Sequence, residues 1–140
     1  MKNKELLSTF IDQLKIPSEI TIALPEKDKR IDDATKILKE IGLNIFCLTD
    51  LNKDQNNTLS LLETLKFSNN WPKEDLIIYS KHPFIKSLSM LRKNQISGVV
   101  CGCTMPTPDV IRGSLRVIGL KESVENLSSM FLMINKNVNH

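Results

Sequence analysis

Residues 101–112 read Cys-Gly-Cys-Thr-Met-Pro-Thr-Pro-Asp-Val-Ile-Arg, and their types and spacing suit the binding of an anion. A short apolar run leads into small and hydroxyl-bearing residues, and these lead into a helix start. Thr107 is placed to cap that helix. Pro108 opens it where a missing N–H costs nothing, and Asp109 favours the positive end of the helix dipole. Free N–H groups at such a start face the crevice beyond the strand ends, where a phosphate would sit. Arg112, one turn inside, can add a bidentate, charge-assisted grip, and Thr104 and Thr107 can donate from their hydroxyls. The expected substrate-binding residues here are Thr104, Thr107, Asp109 and Arg112. The blander alternative is an ordinary helix start with a solvated arginine. Asp109 reads as helix-start chemistry rather than a base, because no histidine or second carboxylate is near it in sequence. Arg116 reads as a surface residue, and no catalytic residue is identified.

Those residues need a strand before them and a helix after them, and the sequence predicts both. Residues 96–100 read as a strand and 107–118 as a helix ended by Gly119. Upstream, Leu6, Leu7, Phe10, Ile11 and Leu14 mark a helix over 4–14, stopped at Ile16-Pro17-Ser18. Residues 19–24 alternate and are β-branched, as in a strand. Residues 30–41 form a helix with Ile31, Ala34, Ile37, Leu38 and Ile41 inward, and Gly42 closes it. A second buried strand follows at 44–48, then a polar loop over 51–57. Thr58 is placed to cap a helix through Leu65, residues 67–72 break the chain, and 76–79 read as a third strand. Pro83 opens a helix to Lys93. Residues 127–134 read as the last strand, before a polar tail. Strands separated by helical stretches imply crossovers and a parallel sheet. The expected fold is α/β: a single three-layer α/β/α domain over 1–140, with at least four mostly parallel strands.

Composition narrows the function. A chain of 140 residues with 41% hydrophobic and 25% charged residues can build its own core. The net charge of +3 forms no basic stripe, and aromatics are only 5%, which argues against nucleic acid as a partner. No window approaches the length of a membrane span, so no membrane partner is expected. Cys47, Cys101 and Cys103 show no disulfide-like spacing, and with no signal sequence at the start they favour a cytoplasmic setting. Cys101-x-Cys103, with His82 and His140 isolated, is not a zinc knuckle, so no metal is expected.

The residues from Ser97 onward resemble the phosphate acetyltransferase and phosphate butyryltransferase family. The resemblance rests on Thr107-Pro108-Asp109-Val110-Ile111-Arg112, on Ile118-Gly119, and on Ser128-Ser129-Met130-Phe131-Leu132-Met133. A second likeness lies at Ile22-Ala23-Leu24-Pro25-Glu26 with Asp28, Arg30, Ala34 and Ile37-Leu38. The family's glycine after Pro-Glu is Lys27 here, its basic segment is echoed only by Arg92-Lys93-Asn94, and Pro106 and Pro108 are unusual for it. The resemblance implies acyl transfer between coenzyme A and inorganic phosphate, with coenzyme A as substrate and no tightly bound cofactor. It implies the N-terminal part of the isocitrate/isopropylmalate dehydrogenase-like fold, with the active site in a cleft between two domains. Arg112, with Thr107 beside it, would lie at the phosphate and CoA end of that cleft, and Arg30 joins the expected binding residues. The family's second domain supplies further active-site residues, so the chain is expected to be incomplete alone.

The expected ligands are phosphate, an acyl phosphate or coenzyme A. A homodimer or a complex with a second polypeptide is expected, with the apolar run 130–134 or the adjoining helix surface near the contact. The runner-up is a non-catalytic module that binds a phosphate or CoA ligand, or an interaction partner. A dehydrogenase fragment fits less well, because no Gly-x-Gly-x-x-Gly occurs.

Overall fold

The computed structural model describes residues 17–53 and 57–129. The chain divides into two compact units, Ile16–Gly119 and a second made of residues 1–15 with 120–140. Of the second unit, residues 120–129 are described; they are exposed and irregular apart from a turn at 122–123. The sheet and every helix described below belong to the first unit.

A 3-10 turn at Pro17–Glu19 leads into strand β1, Thr21–Leu24, whose last two residues are buried. Helix α1, Lys29–Glu40, begins where the Asp28 carboxylate accepts the Arg30 N–H at 2.8 Å. It ends in a Schellman arrangement. Gly42, at φ 90°, donates to the Lys39 carbonyl, and Leu43 donates to that of Leu38. Strand β2, Asn44–Cys47, then pairs in parallel with β1, Ala23 beside Phe46. Strand β3, Gly98–Val99, lies on the other side of β1, Ala23 beside Val99. The order β2-β1-β3 makes a three-stranded, all-parallel sheet with helices packed around it, consistent with a three-layer α/β/α fold.

The remaining elements are helices. α2, Leu48–Lys53, follows β2 without a loop and buries Leu51 completely. α3 is Thr58–Glu63, a 3-10 turn covers Lys66–Asn70, and α4 is Lys73–Lys81. α5 is Pro83–Arg92 and α6 is Thr107–Val117, closed at Gly119 with φ 81°. Ala23, Leu51, Met90 and Ile96 form a core under the sheet, with Phe46 and Val99 packed on it. A larger core of Leu62, Leu65, Leu76, Phe84, Ile85, Leu88 and Val117 joins α3 to α6.

Three expectations need correction. The stretch 76–79 is the middle of α4, not a strand: Leu76 and Ser80 are buried one helical turn apart, while Ile78 is 69% exposed. The loop expected over 51–57 begins as the end of α2. Three of the expected strands lie among the described residues. Residues 127–129 of the expected last strand are irregular and exposed. The rest of that strand, the contact expected at 130–134 and the helix at 4–14 lie outside the described residues.

α6 is anchored from α5. The Arg92 guanidinium donates to the Val117 and Ile118 carbonyls at 2.7 and 2.8 Å, where a helix leaves its last carbonyls free. Arg92→Met should lower stability by about 1–2 kcal/mol through loss of those charged hydrogen bonds. Urea unfolding of the two proteins checks this, and equal midpoints would count against the anchor.

Candidate functional site

β1 is central, and its carboxyl end lies beside that of the parallel strand β3, at the sheet edge where parallel α/β folds usually bind ligands. Two loops meet there. The first begins at Pro25-Glu26; the second runs from Val100 to Pro106. Successive amides of the second loop converge, with Gly102 at φ 95° permitting the turn. They converge on the chain's own carboxylate. Glu26 Oε2 accepts the N–H groups of Gly102 and Cys103 at 2.6 and 2.9 Å. Glu26 Oε1 accepts those of Thr104 and Met105 at 2.7 and 2.6 Å, together with the Thr104 hydroxyl at 2.8 Å.

Glu26 is only 6% exposed, and burial alone would raise its pKa. The backbone and hydroxyl donors outweigh burial and hold it at about 2, below the ordinary 4.5. The neighbouring Cys101 thiol is pushed up, first by burial and then by the Glu26 charge. Next to this cradle, Arg30 holds both oxygens of Asp28 at 2.8 and 3.1 Å and reaches the Cys103 carbonyl at 3.3 Å. The Arg30 hydrogen bond holds the Asp28 carboxyl at about 2.

The start of α6 differs from the sequence-based expectation. The cap position is Pro106, without a side-chain bond, and Thr107 is the first helical residue. Pro108 has no N–H, and Asp109 and Val110 donate to the Pro106 carbonyl at 3.0 and 3.2 Å. Few amides are left there for a ligand. The Thr104 amide and hydroxyl, expected to serve an anion, serve Glu26 instead.

What does open to solvent is a cleft of about 390 Å³ beside this loop. Tyr79, His82, Phe84 and Ile85 line one side, Thr104 to Pro106 a second, and Asp109, Arg112, Gly113 and Arg116 the third. The last four share one face of α6 by their spacing of three and four. Gly113 brings α6 close to Phe84: a Cβ there would lie 2.6 Å from Phe84 Cε1. Arg112 Nη1 donates to Asp109 Oδ1 at 3.0 Å, both side chains half exposed. Arg116 lies over the Trp71 ring at 4.9 Å from its centroid, in an edge-to-face cluster with Phe67 and Tyr79.

Thr104, Asp109 and Arg112 are therefore brought together, whereas Arg30 and Thr107 are not among the cleft-lining residues. Sequence reasoning missed Tyr79 and His82, took Arg116 for surface, and gave Glu26 no role. The signal for Glu26 was its place two residues beyond the buried end of β1. Among the described residues no group of three or more His, Cys, Asp or Glu side chains is placed to hold a metal. No described helix is long and apolar enough to cross a membrane.

Arg112 and Arg116 thus line a cleft beside the loop that follows β3 in a parallel α/β unit. Residues 77–140, a little under half of the chain, match the family model described as phosphate acetyl/butaryl transferase. The matched stretch holds the cleft-lining residues from Tyr79 to Arg116; the likeness at 22–38 lies outside it. No curated protein matches the chain.

Proposed function

We propose that the cleft seats the phosphate of an acyl phosphate or of coenzyme A, in acyl transfer between coenzyme A and inorganic phosphate. The observation that carries this is Arg112 and Arg116 on one face of α6, lining a cleft within the family-matched stretch. In the direction from acyl phosphate, the thiolate forms a bond to the acyl carbon, the bond from that carbon to the phosphate oxygen breaks, and phosphate departs. Two guanidinium groups suit the charge gathering on the leaving group. Phe84, Ile85 and Met105 supply an apolar wall, and His82 lines the cleft beside them.

A non-catalytic ligand-binding module is the second reading, and the Glu26 bonds favour it: the amides of Gly102 to Met105 at the strand ends are occupied, so that crevice does not serve a ligand. Calorimetric titration with phosphate and with coenzyme A, beside an assay of thioester formation from acetyl phosphate, separates the readings. Turnover supports the transferase, binding without turnover supports the module, and neither would remove both.

Arg112→Ala is expected to weaken phosphate binding by about 1.5–3 kcal/mol, as for a charged hydrogen bond. Asp109→Asn should act in the opposite sense. It frees Arg112 from its partner, and because that pair is half exposed the gain is small, about twofold to fivefold in affinity. Equal affinities in all three proteins would show that phosphate does not meet Arg112.

A further inference from the structure

We propose that Glu26 is a positioning residue of the cleft: from the end of β1 it fixes the loop at 102–105 and so sets the wall against which the phosphate is seated. This rests on the reading of the cleft as a phosphate site. Two of the four amides that Glu26 holds belong to Thr104 and Met105, which themselves line the cleft. The Thr104 hydroxyl is turned to the same carboxylate oxygen. The loop then enters α6 through Pro106, whose helix start has no side-chain cap of its own. The backbone bonds to the Pro106 carbonyl and the contact of Gly113 with Phe84 hold α6 itself, while Glu26 holds the loop that delivers it, and Arg112 is carried on α6. Arg30 adds a second tie from the same side of the sheet, through the Cys103 carbonyl. A ligand anion competing for the cradle would have to displace five donors from a buried carboxylate, so the cradle shapes the site and the cleft takes the ligand.

The test compares Glu26→Gln and Glu26→Asp with wild type, using inorganic phosphate as the probe and amide hydrogen exchange at 102–105 as a second readout. Leu51→Ala is the control: Leu51 is fully buried, lies outside the cleft, and its loss destabilises without touching the loop. All titrations are made where each protein is fully folded by circular dichroism. Glu26→Gln should weaken phosphate binding about tenfold, as expected for coupled residues in one hydrogen-bond network. Glu26→Asp should fall between, and Leu51→Ala should bind as wild type does. If Glu26→Gln does not fold, Glu26→Asp carries the comparison, together with Glu26→Ala in the presence of formate. Formate should restore phosphate affinity in Glu26→Ala by refilling the cradle. Unchanged affinity in the Glu26 variants, or an equal loss in Leu51→Ala, overturns the proposal. If wild type binds no phosphate, the cleft reading fails, and positioning is decided by the amides alone. Faster exchange at Thr104 and Met105 with shifted Arg112 and Gly113 resonances in Glu26→Asp would uphold it, and unchanged protection and shifts would end it.

Discussion

Glu26→Gln is expected to destabilise the fold by about 3 kcal/mol at neutral pH, and to lose most of that difference near pH 2. Glutamine keeps the shape of the side chain but turns an NH₂ donor toward amide donors, and it removes the charge that made the bonds strong. The pH dependence follows from the folded pKa of about 2 against the ordinary 4.5. A depressed carboxyl stabilises fully above its unfolded value and loses that contribution as pH falls through the folded value. Wild type should therefore weaken progressively from about pH 5 down to 2, and the variant should weaken less over that range. Asp28, also held at about 2, contributes to the same acid limb in both proteins, so the difference isolates Glu26. Urea midpoints at pH 7 and 2.5 measure it, and parallel acid limbs would mean that the cradle does not stabilise the charged form.

The second large effect is expected at the contact of Gly113 with Phe84. Gly113→Val puts a branched side chain where a single Cβ already comes within 2.6 Å of the ring, and Phe84 is 2% exposed in the larger core. The ring cannot retreat into packed Ile85, Leu88 and Val117, so the helices must separate. A loss of about 3 kcal/mol, or roughly 10 °C in Tm, is expected for such overpacking. Phe84→Ala should cost about 3–5 kcal/mol by the opposite route, a cavity. The two sites should be strongly coupled: Phe84→Leu with Gly113→Ala should be more stable than the sum of the single losses implies. Additive losses in that double-mutant cycle would refute the contact. Thermal melts of the four proteins give the answer.

The parallel sheet was legible because its strands carry β-branched, apolar residues between turn signals. Ile20-Thr21-Ile22 and Asn44-Ile45-Phe46 give strand edges within a residue or two. Helices α1, α5 and α6 were legible from apolar spacing, and from Pro83, Gly42 and Gly119 at their ends. Leu76-Ile77-Ile78-Tyr79 misled because β-branched residues raise strand propensity, while Pro72 and the acidic pair Glu74-Asp75 already marked a helix start. Thr58 and Thr107 each attracted a cap role that belongs one position earlier, to Asn57 and Pro106. Arg112 was legible as a cation near a strand end. Its ion pair with Asp109 lay open in the spacing, and the cleft did not, since His82 and Tyr79 reach it only through the packing of α4 and α5 on α6. Glu26 meets residues 76 to 79 positions away, and no local pattern announces such a partner.

That sequence separation also bears on the order of folding. β1 and β2 can join through a single short crossover, whereas the Glu26 cradle closes only after the chain has returned past α5 to β3. Contacts that close such long loops form late, because the loss of chain entropy precedes their reward. The cradle then has little structure in the folding transition state. Removing it should speed unfolding and leave the folding rate nearly unchanged. The cleft wall is thus among the last parts to assemble, and a ligand that bound there would lengthen the lifetime of the native state without hastening its arrival.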